Sequence, residues 1–362
     1  MKIGIVGLPN VGKSTLFNAL TGSKAAVANY AFTTIDPNIG IVPVYDERLT
    51  LLADLVHTNK LIPATVEFVD IAGLVKGASH GEGMGNQFLS HIREVDAILN
   101  VVRCFHDDNI AHTAQTINPV ADFRTIEIEL ILADLEHLEK RRVKVAKMAK
   151  GHASETLAEL ELIDRLIEHL NQEKTARSFV FEASEEPFMN NVHLLTMKPI
   201  IVVANVAEGA DPASNVLFQQ LSDYFADTDT IVLPVTARIE SEISELSPDE
   251  RQIFRSEMGL QESGLDRVIL ESYRVLGRIS FFTGNEKEAH AWTIRKGACA
   301  PEAAGAIHTD FERGFIRAEV VAFRDLYEHG SFVAAREKGL VRSEGKTYVV
   351  RDGDYIIFRF NV

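Results

Sequence analysis

Short apolar runs and stretches of helical spacing alternate along much of the chain. The runs are KIGIV (2–6), ATVEFV (64–69), AILNVV (97–102), KPIIVVAN (198–205) and TIVLPV (230–235). Strands that are apolar on both faces are typical of a buried parallel sheet. The first run leads into LFNAL (16–20), which continues at helical spacing. The pattern predicts an α/β fold with a mainly parallel sheet.

From about residue 122 to 180 the apolar residues follow alternating steps of three and four, in two stretches separated by GHASE (151–155). Two amphipathic helices joined by a short loop form an antiparallel hairpin when their apolar stripes face each other. The sequence therefore predicts an antiparallel coiled-coil hairpin. The residues that define the spacing are Ile128, Ile131, Leu135, Leu138, Arg142, Val145, Ala149, Leu160, Ile163, Ile167 and Leu170.

The end of the first predicted helix is strongly basic. The segment KRRVKVAKMAK, Lys140–Lys150, has six cationic residues and no acidic one. On an acidic chain such a cluster favours a contact with RNA, although a solvated helix face has the same composition. Both interpretations stay open at the level of sequence.

The pattern changes again near residue 278. SFFT, HAWTI, IRAEVVAF and YIIFRF read as strands, and 301–313 and 331–339 as helices or turns, so a compact α+β unit is predicted. Four segments follow from these changes. Residues 1–121 and 191–277 form the α/β domain, 122–190 a helical insertion and 278–362 the small C-terminal domain.

The net charge limits how the chain could bind nucleic acid, and the cysteine content indicates its compartment. The 362 residues carry a formal net charge of −15, which argues against binding nucleic acid by bulk electrostatics, so an RNA contact needs a local basic patch. Cys104 and Cys299 lie far apart, as is usual in a reducing compartment. Residues 1–9 enter a strand directly, and no run of 18 apolar residues occurs. We expect a cytoplasmic protein with no membrane partner.

The strongest chemical signal follows the first strand. GLPNVGKST, Gly7–Thr15, fits G-x-x-x-x-G-K-[ST] between a predicted strand and a predicted helix, the context that a phosphate loop requires. Glycine lets the backbone approach phosphates closely, and a helix N-terminus favours an anion. The alternative is a plain glycine turn, which the complete pattern disfavours.

Each residue of this loop has an expected role. Lys13 would contact the β and γ phosphates and act in catalysis, and the Ser14 hydroxyl would hold Mg2+. The chain is therefore predicted to be a nucleoside triphosphatase with Mg2+ as its cofactor. The N–H groups expected to bind phosphate are those of Asn10, Val11, Gly12, Lys13, Ser14 and Thr15.

Two later segments complete the predicted metal and phosphate site. ATVEFV leads into Asp70-Ile71-Ala72-Gly73, where Asp70 would hold Mg2+, commonly through water, and the Gly73 amide would sense the γ-phosphate. Thr33 or Thr34 is the candidate for a hydroxyl that reaches the metal when the γ-phosphate is present. A capping aspartate and ordinary turn chemistry are the alternatives.

The residue after the D-x-x-G motif is Leu74, where many small GTPases have a glutamine that orients the attacking water. Leucine cannot do this, so hydrolysis should be slow or another group must orient the water. His112 is the candidate, because imidazole can orient or deprotonate water near neutral pH. The nearby His106, Asp107 and Asp108 read as a solvated loop rather than a metal site.

The base-recognition segment departs from guanine-specific proteins. Their N-K-x-D motif ends in an aspartate that accepts two hydrogen bonds from guanine, whereas this chain has Asn205-Val206-Ala207-Glu208. Each hydrogen bond from guanine to that charged aspartate contributes about 1.5 to 3 kcal/mol. Because this chain lacks the aspartate, we predict that ATP binds at least as well as GTP. Thr236 and Ala237, after the next strand, would border the base.

The motifs GLPNVGKST, FTTIDPN, DIAGLVKGASHGEGMGNQFL and NVAE together resemble the YchF family of Obg-like ATPases, over essentially the whole chain. The resemblance implies ATP hydrolysis with ribosome association, Mg2+ on Ser14 and Thr34, and adenine recognition around Asn205, Val206 and Glu208. It also implies that His112 replaces the missing glutamine. The C-terminal segment resembles a TGS domain with a β-grasp fold.

Three functional hypotheses follow. The first is an ATP-dependent switch that associates with the ribosome, or its large subunit, in translation or stress regulation. The second is a GTP-specific enzyme of the same class. The third is an RNA or ribosome adaptor whose nucleotide site is only regulatory, which the basic hairpin and the C-terminal domain motivate.

Overall fold

The structure, a computed structural model, describes most of the chain. The described residues are 1–22, 38–71, 84–107, 109–110, 116–148, 154–209, 211–247, 250–251, 253–254 and 263–361. They divide into two compact units. Unit 1 comprises Met1–Gly40 and Glu67–Val268, and unit 2 comprises Ile41–Val66 and Ile269–Val362.

The strands are numbered here in chain order. They are β1 (Lys2–Val6), β2 (Ile39–Pro43), β3 (Leu61–Ile62), β4 (Thr65–Asp70), β5 (Ala97–Cys104), β6 (Ile200–Val206), β7 (Ile231–Val235), β8 (Arg278–Asn285), β9 (Glu288–Arg295), β10 (Phe315–Ala322), β11 (Arg342–Glu344) and β12 (Asp354–Phe360). All five predicted apolar runs of the α/β domain are strands.

The α-helices of the described residues are numbered in the same way. They are α1 (Lys13–Gly22), α2 (Glu47–Leu55), α3 (Met84–Glu94), α4 (Pro119–Met148), α5 (Ser154–Asn171), α6 (Glu186–Val192), α7 (Val216–Tyr224), α8 (Ala237–Glu245), α9 (Gly264–Val275), α10 (Ala300–Ile307), α11 (Thr309–Arg313), α12 (Phe323–His329) and α13 (Phe332–Glu337). Short 3-10 turns include Leu195–Met197.

The first sheet has the order β2-β4-β1-β5-β6-β7. β1 pairs in parallel with β4 and β5, and β6 pairs in parallel with β5 and β7. Every residue of β5 and β6 is buried, which explains why these strands are almost uniformly apolar. The carboxyl ends of β1, β4, β5, β6 and β7 therefore lie along one edge, where an open parallel sheet binds its ligand.

The inserted helices α4 and α5 form a hairpin in unit 1. Arg124 near the start of α4 pairs with Glu173, two residues beyond the end of α5, and Arg141 near the end of α4 pairs with Glu159 near the start of α5, so the helices are antiparallel. Their apolar stripes share a buried cluster that includes Leu138, Val145 and Leu166. The predicted helical hairpin is present.

One carboxylate ties this hairpin to the start of β6. Asp134, in the middle of α4, accepts hydrogen bonds from the backbone N–H groups of Leu195 and Thr196 and from the Thr196 hydroxyl, at 2.7–2.8 Å. Burial raises the pKa of Asp134, while these three hydrogen bonds oppose the shift. The α4 helix is thus anchored by a buried carboxylate, both of whose oxygens accept hydrogen bonds.

The second sheet has the order β11-β10-β12-β8-β9-β3. Within 278–361, the hairpin of β8 and β9 comes first, and the buried side chains of α10 pack in one cluster with those of the sheet. The last strand, β12, pairs in parallel with β8 and antiparallel with β10. This is the β-grasp arrangement that the resemblance implies.

Unit 2 differs from the predicted C-terminal domain in two respects. Its C-terminal part begins at Ile269 rather than at residue 278. The prediction placed all of 1–121 in the α/β domain, whereas Ile41–Val66 belongs to unit 2. Within it β3 adds a strand beside β9, and Leu52 of α2 lies against Gly284 of β8. The sequence gives no sign of this because the segment lies between two strands of the other sheet.

Candidate functional site

The glycine loop joins β1 to α1 as predicted, and its conformation requires glycine at two positions. Gly12 has φ +94°, in the left-handed region, and a Cβ there would lie 2.3 Å from Asn205 Nδ2. A Cβ at Gly7 would lie 2.8 Å from the Val101 carbonyl oxygen. Asn10 is also left-handed, with φ 64°. The loop therefore packs closely on the neighbouring strands and turns sharply into α1.

The predicted phosphate and metal residues converge beside this loop. The Lys13 ammonium forms an ion pair with Asp70 at the end of β4, and Ser14 Oγ lies 3.5 Å from Asp70 Oδ2. The Lys13 and Asp70 side chains are 12% and 18% exposed, so they meet in a largely enclosed place. The register of β1 against β4, which pairs Ile5 with Asp70, brings them together.

These oxygen ligands suit a hard divalent cation. The Ser14 hydroxyl and the Asp70 carboxylate lie close together, and both are oxygen ligands of the kind that Mg2+ binds. Mg2+ is commonly held by one or two protein oxygens together with substrate phosphates. Ser14 and Asp70 would therefore hold it, and bound Mg2+ would neutralise charge on the phosphates. Among the described residues, histidine, cysteine and carboxylate side chains form no cluster of three or more that could hold another metal ion.

The first turn of α1 supplies the expected backbone donors. Leu16 N donates to Gly12 O at 2.9 Å, which closes the first helical turn. The N–H groups of Lys13, Ser14 and Thr15 precede that bond and belong to the unpaired donors of a helix N-terminus. Ser14 and Thr15 are exposed, so this turn is accessible to an anion.

Asn205 connects the glycine loop to the predicted base loop. Its Nδ2 donates to the Val11 carbonyl at 2.9 Å, and its Oδ1 accepts from Ala237 N at 3.1 Å. The side chain is 6% exposed. Its amide is thus occupied by the protein itself, so Asn205 positions the two loops with respect to each other.

The other predicted base-contacting residues lie near this connection. Val206 is buried at the end of β6, Glu208 is exposed just beyond it, and Thr236 is half-buried at the start of α8. Ala237 is buried, and its N–H is the one bonded to Asn205. Among these, Glu208 has the side chain that is free to meet a ligand from solvent.

Three predicted residues lie outside the described part of the chain. They are Thr34, Gly73 and His112, together with the alternative Thr33 and with Leu74. The roles of these five residues remain predictions.

The structure shows one important residue that the sequence analysis missed. Arg103 is 1% exposed at the end of β5, and its guanidinium donates to the carbonyl oxygens of Phe105, Asp107 and Ile110 at 3.0–3.1 Å. It therefore holds the described start of the loop that leads toward His112. A lone cation in the apolar strand AILNVVRC was the available signal, since a buried charge needs dedicated partners.

The basic end of α4 has fewer unpaired cations than its sequence alone suggests. Among the described residues of Lys140–Lys150, three cations are paired: Lys140 with Glu136, Arg141 with Glu159, and Arg142 with Asp164. These pairs stabilise the hairpin. Lys144 and Lys147 are exposed and form no ion pair with any described residue, so they are the cations that remain for an external partner.

Comparison with known proteins agrees with this site. The family described as 50S ribosome-binding GTPase matches residues 2–134, and the family model YchF-GTPase_C matches residues 278–361. No helix among the described residues is long and apolar enough to cross a membrane.

Curated relatives and a solved structure cover nearly the whole chain. The "Ribosome-binding ATPase YchF" of Bacillus subtilis is 55% identical, over 99% of this chain and 99% of its own length. The protein of the same name from Escherichia coli is 48% identical, over 100% and 99%. The structure described as the Schizosaccharomyces pombe YchF GTPase matches with a TM-score of 0.90 at 34% identity, covering 99% of this chain and 97% of that one. These matches confirm the resemblance and the fold class.

Proposed function

The chain belongs to the YchF family, and on that premise we propose that it is a Mg2+-dependent triphosphatase that prefers ATP to GTP and acts as a ribosome-associated switch. The observation that carries the proposal is the convergence of Lys13, Ser14 and Asp70 beside the glycine loop. A cation, a hydroxyl and a carboxylate in this arrangement serve phosphoryl transfer.

In the proposed reaction, Lys13 leaves Asp70 for the β and γ phosphates, and the N–H groups from Asn10 to Thr15 bind phosphate oxygens. Ser14 and Asp70 would hold Mg2+, with Thr34 as a further candidate ligand, and the ion would neutralise charge on the phosphates. Water attacks the γ-phosphorus in line while the bond to the β–γ bridging oxygen breaks, which gives ADP and inorganic phosphate. His112 would orient this water because Leu74 cannot. Loss of the γ-phosphate releases the segments around Thr34 and Gly73.

The preference for ATP rests on Glu208 and Val206. Glu208 is exposed beside the base loop but is one methylene longer than the aspartate that pairs with guanine, and Val206 is buried and has no polar group. Neither residue offers the aspartate that accepts from guanine N1–H and its amine in the N-K-x-D motif, so we expect the selectivity for guanine to be lost.

Parallel titration with ATP and GTP tests this base recognition. Glu208→Asp is the first variant, because Glu208 is exposed and the change should not disturb folding. The double variant Glu208→Asp with Val206→Lys adds the missing lysine at a buried position, so it needs a check of thermal stability. We expect the ratio of GTP to ATP affinity to rise in both, most in the double variant. Glu208→Gln is the matched control, and an unchanged ratio in a folded double variant would refute the proposal.

The proposed ribosome partner comes from the printed names of the relatives and of the matching family. Ribosome binding also implies the cytoplasm, where we place the protein. Cosedimentation with ribosomes and with separated large subunits, in ATP, in ADP and without nucleotide, tests the association. A switch binds differently in ATP and ADP, whereas equal binding in all three conditions would favour the adaptor hypothesis.

A slow intrinsic rate is the kinetic part of the proposal, because Leu74 occupies the position of the water-orienting glutamine. Hydrolysis of ATP and GTP should be measured with and without ribosomes. We expect low basal turnover that ribosomes raise, and a His112→Ala variant with lower kcat and little change in nucleotide affinity. His112→Gln is the control, because it keeps a hydrogen-bonding side chain and removes only the imidazole.

A further inference from the structure

We propose that Arg103 is a positioning residue for the hydrolysis reaction, in which its buried guanidinium holds the loop that leads to His112. This role rests on the proposed function, because His112 is the group assigned there to orient the attacking water. The described residues of this loop, 105–107, 109 and 110, are called here the Arg103 loop.

Backbone carbonyl oxygens surround the guanidinium of Arg103. Its Nε donates to Phe105 O at 3.1 Å, its Nη1 to Ile110 O at 3.1 Å and its Nη2 to Asp107 O at 3.0 Å. The Phe105 ring also lies against it, with 4.6 Å between the guanidinium carbon and the ring centroid. All three nitrogens are thus used, and both the hydrogen bonds and the ring restrict rotation of the planar group.

This arrangement costs free energy that β5 itself does not require. Arg103 is 1% exposed, and it forms no ion pair with a described residue, so carbonyl dipoles alone replace its hydration there. The other seven residues of β5 are buried and uncharged, so an apolar residue would complete the strand at a lower cost. The guanidinium is therefore explained by what it does for the loop.

The loop is held at its far end as well as at its start. Asp107 O also accepts from Ile110 N at 3.2 Å, and Asp107 Oδ1 accepts from Asn109 N at 2.9 Å, which closes a turn. His112 follows Ile110 by two residues, so their Cα atoms lie within about 7 Å of each other. Fixing the Ile110 carbonyl therefore limits where the His112 imidazole can be placed.

The same contacts fix the loop with respect to the phosphate site. Arg103 is the register partner of Asn205 on β6, and Asn205 Nδ2 donates to the Val11 carbonyl in the glycine loop. The Val101 carbonyl of β5 lies directly beside Gly7. The loop thus starts from a strand that packs on the phosphate-binding backbone. Displacement of a catalytic group by about 1 Å can lower a rate strongly, so this support should be visible in the rate of hydrolysis.

Arg103→Lys tests the role, because lysine keeps the charge but loses the planar fork that reaches three carbonyls at once. We expect the single-turnover rate of ATP hydrolysis to fall on the order of tenfold. The Kd of the fluorescent analogue mant-ATP, measured with Mg2+, should change by less than about twofold, because the nucleotide contacts are intact.

Arg177→Lys is the matched control. Arg177 Nη1 also donates to a backbone carbonyl, that of Lys198, at 2.6 Å, and it does so beside the amino end of β6, at the opposite edge of the sheet. Its rate should stay within about twofold of the wild type, since the lost contact is remote from the reaction. An equal loss in Arg177→Lys, or a parallel loss of mant-ATP affinity in Arg103→Lys, would overturn the proposal.

A double-mutant cycle with His112→Ala separates positioning from a general effect on the site. If Arg103 acts through His112, then Arg103→Lys should lower the rate of the His112→Ala protein by less than about twofold, because no group is left to position. Independent effects would multiply. A further loss in the double variant as large as that in the single variant would therefore overturn the proposal.

Asp107→Ala carries the same test if Arg103→Lys does not fold. It loosens the turn at Asn109 and leaves Arg103 in place, so the rate should fall severalfold with unchanged mant-ATP affinity, and not in the His112→Ala background. A fully active His112→Ala protein would refute the proposed role of His112 and this role of Arg103 with it. If His112→Ala is impaired while Arg103→Lys and Asp107→Ala keep the wild-type rate, the role of Arg103 alone is refuted and the proposed function stands.

Discussion

At the scale of single residues, the ion pair between Lys13 and Asp70 links the two halves of the phosphate site. Asp70 is expected to hold Mg2+ and Lys13 to hold phosphate. Binding of either Mg2+ or phosphate must therefore break the ion pair between Lys13 and Asp70. Binding of a nucleotide without the metal must separate a largely enclosed pair, and that separation costs free energy.

We expect Asp70→Asn to change the dependence on Mg2+ in a specific way. In the presence of EDTA the variant should bind ATP severalfold more tightly than the wild type, because Lys13 loses its competing carboxylate. With Mg2+ present it should bind more weakly and hydrolyse more slowly. Isothermal titration in both conditions measures the effect. Glu67→Gln on the same strand is the control, and weaker Mg2+-free binding by Asp70→Asn would contradict the argument.

A second residue-scale prediction concerns His290 in unit 2. Burial lowers its pKa from 6.5 to about 4, with a further lowering by Lys60 and an opposite effect of Glu288. Its ring stacks on Trp292 at 3.5 Å between centroids, and its Nδ1 is buried with no partner among the described residues. The folded chain therefore keeps this imidazole neutral at a pH where the unfolded chain protonates it.

The sign of the effect follows from proton binding. Below about pH 6.5 the unfolded state binds a proton that the folded state does not, so the free energy of unfolding falls as the pH falls toward 4. Between about pH 7 and 5 the loss should be about 1 kcal/mol after allowing for partial exposure. Urea unfolding should show that His290→Phe, which keeps an aromatic ring on Trp292, reduces this loss. The exposed His106→Asn is the control, and an equal pH dependence in His290→Phe and wild type would refute the assignment.

At the scale of elements, the helical hairpin is fixed to the α/β unit by Asp134. This carboxylate satisfies two backbone N–H groups and one hydroxyl at the turn before β6. The outer ion pairs of the hairpin lie on its surface, and that of Arg142 with Asp164 joins side chains that are 51% and 46% exposed. The buried anchor should matter far more for stability than the surface pairs.

Two aspartate-to-alanine variants on the same hairpin test this contrast. Asp134→Ala leaves three buried donors unpaired and should lower the free energy of unfolding by about 2 to 4 kcal/mol. Asp164→Ala removes an exposed ion pair and should lower it by less than about 1 kcal/mol. Urea unfolding of both variants gives the comparison. Similar losses would show that Asp134 is not the anchor.

At the scale of the whole molecule, the second unit is built from two separate parts of the chain. Ile41–Val66 supplies β3 and α2, whose Arg48 forms an ion pair with Asp352 at 2.8 Å and lies over the Phe282 ring. Leu52 of α2 is fully buried. The C-terminal segment alone would therefore expose apolar surface that Ile41–Val66 covers.

We predict that residues 269–362 alone will not form a stable β-grasp unit. A polypeptide in which 41–66 is joined to 269–362 by a flexible glycine-serine linker should fold cooperatively, because it restores β3 and α2. Near-ultraviolet circular dichroism and thermal unfolding report the difference. The same polypeptide with Leu52→Asp is the matched control and should behave like the isolated segment. A stable, cooperative 269–362 would contradict the prediction.

Local sequence patterns were sufficient to predict many of the elements and the chemistry of the phosphate loop. The glycine loop, the strand that ends in Asp70 and the two helices of the hairpin are predicted correctly, because turn chemistry and apolar spacing are local properties. The strands SFFT, HAWTI, IRAEVVAF and YIIFRF were found for the same reason. β2, β3 and β11 were missed. β3 and β11 have two and three residues, which is too short for a period to be detected, and β2, IGIVP, contains a glycine and ends in a proline, which are both depleted in strands.

Contacts between residues that are far apart in the chain could not be predicted from local patterns and are seen only in the folded structure. Asn205 lies between Val11 and Ala237, and Asp134 accepts hydrogen bonds from Leu195 and Thr196, and neither set of contacts has a local signature. The same holds for the transfer of 41–66 to the second unit. Contacts of this kind depend on strand order and register, which are selected by the packing of the whole chain rather than by any one segment.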